Sequence, residues 1–76
     1  MPTFTYILDA EPQSTTEHIL TPSQILRNAG IDPATHYLVQ IQGDHRISDE
    51  GKPDDEIHMH EHMKFISIST GPTPVS

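Results

Sequence analysis

Apolar and polar residues alternate along three stretches of this chain and switch to a helical spacing in a fourth. Thr3-Phe4-Thr5-Tyr6-Ile7-Leu8 is rich in β-branched and aromatic residues, and its period of two puts Phe4, Tyr6 and Leu8 on one face. Asp9 to Ser14 is polar and contains Pro12, which predicts a turn. Thr15 to Leu20 predicts the second strand, so the first twenty residues predict a β-hairpin. His36 to Gln42 predicts a third strand, with Tyr37, Val39 and Ile41 facing one way and Leu38, Gln40 and Gln42 the other. Gly43-Asp44 marks a turn, Arg46-Ile47 a short strand at most, and Asp49 to Glu56 an acidic loop with Gly51 and Pro53. Lys64 to Thr70 predicts the last strand, with Ile66 and Ile68 inward. Gly71 to Ser76 contains two prolines and predicts a disordered tail.

The helical stretch carries its own punctuation. Thr21 is an N-cap, Pro22 occupies the first helical position where a missing N–H costs nothing, and Gln24 completes a capping box. Gly30 can take the left-handed conformation that closes the helix, and Pro33 blocks continuation. A helix of about two turns does not hold itself together in water, so it must dock through Ile25, Leu26 and Ala29.

The element order is strand, strand, helix, strand, short strand, strand. A hairpin, a helix packed across it and returning strands make a two-layer α+β fold, with the first and last strands parallel at the centre. This predicts a β-grasp domain over residues 1–70, a mixed four- to five-stranded sheet on one short helix, followed by the tail 71–76. The predicted core is Tyr6, Leu8, Ile19, Ile25, Leu26, Ala29, Val39, Ile41, Ile66 and Ile68.

The wording of the helix goes further than its physics. Thr21-x-x-x-Ile25-Leu26-x-x-Ala29-Gly30-x-x-Pro33 is similar to a signature of the prokaryotic multiubiquitin family of ubiquitin-like domains. The strand Tyr37-Leu38-Val39-Gln40-Ile41, the acidic Pro53-Asp54-Asp55-Glu56-Ile57 and the aromatic Phe65 of the last strand also resemble that family, over residues 4 to 70. The resemblance implies a bacterial ubiquitin-like protein modifier. Its implied partners are activating-type enzymes, conjugating-type enzymes and a JAB-type metallopeptidase. Where ubiquitin ends in a flexible Gly-Gly, this chain has the single Gly71 and then Pro72-Thr73-Pro74-Val75-Ser76. Either a peptidase exposes the Gly71 carboxylate for conjugation, or the tail is inert and the domain is a non-covalent interaction or scaffold module.

Composition narrows the alternatives. Four Lys+Arg against eleven Asp+Glu give a formal charge of −7, which disfavours a phosphate backbone as partner. With no cysteine, neither a disulfide framework nor a thiolate zinc site is possible, which fits a reducing cytoplasm. No apolar run approaches the roughly 20 residues of a membrane span. There is no phosphate-binding glycine loop, a Ser/His/Asp set could be named from almost any such composition, and 76 residues leave little room for both a core and a substrate pocket, so the chain is not expected to be an enzyme or to need a cofactor.

Two side-chain groups remain. His58, His60 and His62 alternate, so on an extended chain all three imidazoles point one way. Such a set suits zinc, nickel or copper, with Glu56 or Glu61 adding an oxygen; the competing reading is a solvated, metal-free loop. If Val39 and Ile66 point inward, Leu38, Met63 and Phe65 point outward and form an apolar protein-binding patch.

Overall fold

The computed structural model describes residues 2–70. Its elements are β1 (Phe4–Leu8), β2 (Glu11–Thr15), β3 (Ile19–Leu20), α1 (Pro22–Asn28), β4 (His36–Gln42), β5 (His45–Ser48), β6 (Ile57–His58) and β7 (Met63–Ser69). Five strands form one mixed sheet in the order β2-β1-β7-β4-β5, and β3 pairs with β6 in a separate two-stranded ribbon. β1 and β7 lie side by side and parallel, while the other neighbours are antiparallel. The single helix packs on one face of the sheet. This is an α+β fold of the β-grasp type. No helix among the described residues is long and apolar enough to cross a membrane.

The helix follows its punctuation. Thr21 Oγ1 accepts from the Gln24 amide at 3.2 Å, and Gln24 Oε1 accepts from the Thr21 amide at 2.9 Å, the reciprocal pair of a capping box. At the other end the Gly30 amide donates to the Arg27 carbonyl and the Ile31 amide to the Leu26 carbonyl. That pairing is a Schellman closure, and Gly30 supplies the left-handed φ of 78° it requires.

The hairpin is tighter than its composition predicts. Only Asp9 and Ala10 make the turn, both at positive φ, so Leu8 pairs with Glu11 and the second strand runs Glu11–Thr15 rather than Thr15–Leu20. Two consecutive left-handed residues match the twist of the flanking strands. Pro12 is tolerated because β2 is an edge strand, where a missing N–H breaks no ladder. Of the stretch expected as a strand, only Ile19–Leu20 is extended and paired, and its partner is β6.

The core lies between the helix and one sheet face. It joins Tyr6 and Leu8 of β1, Leu20 of β3, Ile25 and Leu26 of α1, Leu38 of β4, Met63 and Phe65 of β7, and Ile57 and Met59. Tyr6 meets Phe65 edge-on at 5.8 Å between ring centroids. Desolvation in this core raises the Tyr6 phenol above its ordinary pKa. Asp9 ties the central strands together: its amide donates to the Phe65 carbonyl, and its carboxylate accepts from the Ser67 amide at 2.8 Å and from the Ser67 hydroxyl.

Candidate functional site

Cross-strand partners share a face, so the register assigns every strand position to one side of the sheet. Leu38 lies opposite Ser67 and Gln40 opposite Phe65, while Tyr6 and Leu8 lie beside Met63 and Phe65; this is the helix side. Val39 lies opposite Ile66, Tyr37 opposite Ile68, Ile41 opposite Lys64 and Arg46, and Ile7 beside Lys64; this is the open side.

The expected patch of Leu38, Met63 and Phe65 is therefore corrected. Leu38 and Phe65 are 0 % exposed and Met63 is 7 % exposed, all in the helix-side core. The facing of β4 and β7 is the reverse of the one expected, and a single-position change in facing turns every side chain over. The reason is volume. A seven-residue helix buries only Pro22, Ile25 and Leu26, so long side chains must reach up from the sheet to meet it. Leucine, methionine and phenylalanine do this; Ile41, Ile66 and Ile68, expected in the core, are left partly exposed on the open face, where Val39 is buried as expected. Ile19 is corrected as well, being 42 % exposed, while Leu20 takes the core place.

The open face is what remains. Ile7, Ile66, Ile68, Tyr37 and Ile41 are partly exposed there, and Val39 at their centre is buried without joining the helix-side core. They spread across three adjacent strands, β1, β7 and β4. The charged residues among the strand positions of this face are Arg46 and Lys64, two of the four cations in the chain and none of its eleven acids. Lys64 was the signal that could have found it. Lys64, Ile66 and Ile68 share one face of β7, and a lysine almost never occupies a core.

The histidines do not form a shared site. Among the described residues no three His, Asp or Glu side chains gather where they could hold a metal ion. His62 takes a φ of 66°, which breaks the alternation on which a common facing of His58, His60 and His62 depends. The backbone explains this. The His62 amide donates to the Thr5 carbonyl and the His60 amide to Met63 Sδ, folding the segment back onto the sheet. Glu61, a candidate extra ligand, instead accepts from the Thr5 amide at 3.0 Å.

No family model, curated protein or solved structure matches this chain.

A second feature lies on the helix side. Residues 49–53 close against the start of α1 through a hydrogen bond from the Ser23 amide to the Pro53 carbonyl. A cleft of about 190 Å³ remains between this loop, the helix and β4. Asp49 lines it, and burial raises the Asp49 carboxyl above its ordinary pKa. The Asp55 carboxylate adds to that rise and Lys52 partly offsets it. Gly71, the expected processing point, lies outside the described residues.

Proposed function

We propose that this chain is a non-enzymatic protein-binding domain of the cytoplasm that docks a partner protein on its open sheet face. One observation carries the reading: the partly exposed apolar side chains of that face are contiguous across three neighbouring strands. Single exposed apolar residues are ordinary, but a contiguous group rimmed by polar positions is what interfaces use. The core of such a patch excludes water, and arginine at its margin suits a binding rim. A photo-crosslinking residue placed at Ile68, or as a control at Ile47, tests this in the cells that make the protein. Ile47 is 44 % exposed but belongs to the helix side. Defined protein adducts from position 68 and none from position 47 are expected. Adducts from neither position, or equal adducts from both, would overturn the reading.

A second reading is the bacterial ubiquitin-like modifier implied by the helix signature. The Thr70 amide donates to the Thr35 carbonyl at 2.8 Å, which pins the chain one residue before Gly71. A carboxylate freed at Gly71 would then follow directly from the central strand, available to activating-type and conjugating-type enzymes. Intact-mass measurement after co-expression with the genomic neighbours tests it. A product ending at Gly71, or an adduct carrying residues 1–71, supports the modifier. A full-length chain without adducts, beside active neighbouring enzymes, removes it and leaves the binding domain.

A further inference from the structure

The two edges of the sheet are finished differently. β2 and β5 are its outer strands. Along an antiparallel strand, alternate residues turn their amide and carbonyl to the neighbour, and the residues between turn them away. The Asp49 amide donates to the Leu38 carbonyl at 2.9 Å, so Asp49, Ile47 and His45 face β4, and Arg46 and Ser48 face outward. On the other edge, Leu8 and Glu11 close the two-residue turn as a bonded pair, which turns Pro12 and Ser14 outward. Pro12 has no amide to give, and proline in that place blunts an edge. β5 carries no such block. All four of its residues are exposed, and Ile47 is, with Ile19, one of the exposed large apolar side chains among the described residues.

The charge along β5 is ordered. His45 and Arg46 open it, Ser48 ends it, and Asp49 and Glu50 follow. Turned end for end, this segment complements itself. Pairing Arg46 with Ser48 of a second copy uses both outward residues of each strand, with two backbone hydrogen bonds at each pair. The same register sets Ile47 directly across from its own counterpart. It also sets His45 across from Asp49 of the other copy, and Arg46 on the diagonal to Glu50. Sliding the copies by two residues in one direction would put Arg46 on Arg46, and a parallel pairing would put like charges together.

We infer that the β5 edge pairs antiparallel with β5 of a second copy of this chain, about a two-fold axis, and joins two five-stranded sheets into one. The contact is isologous and closes at two copies, and Pro12 at each far edge stops the sheet from growing further. The axis stands across the sheet, so both open faces lie on the same side. A four-residue edge buries well under the ~1,000 Å² of a stable interface, so the pair forms at high concentration. At cellular dilution the copies separate, and Ile47 stays free of adducts. The inference stands on backbone and charge at the edge and does not depend on what docks on the open face.

Sedimentation equilibrium of the full-length chain tests this, from about 10 µM to about 1 mM, in about 0.15 M salt to screen the repulsion between two copies of charge −7. The average mass should rise from one chain towards two. Ser48→Pro removes one outward donor from each copy and leaves the bonds to β4 intact. It should weaken pairing by about tenfold, the worth of two hydrogen bonds. A second variant, Ile47→Cys, carries the only thiol in the chain. Directly opposite residues of a non-bonded pair lie about 4.5 Å apart between Cα atoms, within reach of a disulfide. Diamide should link Ile47→Cys chains at about 1 mM at least about tenfold faster than Ile19→Cys chains. Ile19 is 42 % exposed but lies in the β3–β6 ribbon, away from the edge. A chain that stays single at about 1 mM overturns the inference and leaves the edge to an extended segment of another protein. Equal linking at both cysteines overturns it too. So does a folded Ser48→Pro chain that pairs as tightly as the parent, since the contact would then use another surface.

Discussion

The two faces of the sheet differ in how far the chain itself covers their apolar side chains. On the helix side, Leu38 and Phe65 are fully buried and every neighbour is supplied by the chain itself. On the open side, Ile66 and Ile68 occupy the alternate positions of the same strand and keep part of their surface in water. Both faces are rich in apolar groups, but only one has its partner built in. Long, rotatable side chains fill the gap to the short helix, whereas β-branched side chains stiffen the face left open. Stability therefore rests on the inner set of positions, and the proposed docking would use the outer set, although the two interleave residue by residue.

Substitutions should separate these roles. Phe65→Ala should have the largest effect, about 3–5 kcal/mol, the usual cost of truncating a buried phenylalanine. In a domain of this size that is a large part of a total of about 5–15 kcal/mol, so the thermal transition should lose its cooperativity. If Phe65→Ala melts like the parent, the assignment of faces is wrong. Thr21→Ala should cost about 1 kcal/mol, because it strips the cap from the helix that defines the inner face; chemical denaturation measures it. Ala10→Gly should stabilise by about 1 kcal/mol, since alanine is held at a φ of 67° in the hairpin turn. The paired Ile66→Ser and Ile68→Ser changes should cost less than Phe65→Ala alone yet abolish crosslinking from the open face. Loss of folding in that pair, at the level of Phe65→Ala, would make both faces structural.

The smallest effect concerns Asp49. Its folded pKa is raised, so the native state holds this proton more tightly than the unfolded chain does. Asp49 therefore leaves stability untouched below the ordinary carboxylate range and reduces it as the pH rises through the raised value. Asp49→Asn should melt slightly higher than the parent at pH 7, with the difference shrinking towards pH 3. A constant difference across that range would show that the group does not titrate as its burial implies.

What could be read in the sequence was what is decided locally. Thr21, Pro22, Gln24 and Gly30 act within one turn of where they stand, and the helix is capped and closed as they predict. β4 occupies His36–Gln42, the stretch whose alternation predicts it. The facing of that strand was not legible, because Tyr37-Leu38-Val39 offers apolar groups to both sides and only the reach of the helix decides between them. The hairpin turn was hidden for a related reason. Asp9 can adopt a left-handed conformation readily, but Ala10 gives no sign that it will, and Pro12 suggests a turn where an edge strand tolerates it. The three histidines alternate in the sequence, yet the hydrogen bond from His62 to the distant Thr5 carbonyl changes the backbone that alternation presupposes.

The parallel pairing of β1 with β7 has a consequence for synthesis. The strand between β1 and β4 is the last one made, so no five-stranded sheet exists until Ser69 has emerged from the ribosome. Until then Tyr6, Leu8 and Leu38 lack the neighbour that covers them, and contacts this distant in sequence are slow to form. Nascent chains arrested before β7 should be digested readily by protease, and resistance should arrive in one step once residue 69 is free. Whatever follows residue 76 on the same messenger would set how much time the ribosome allows for that step.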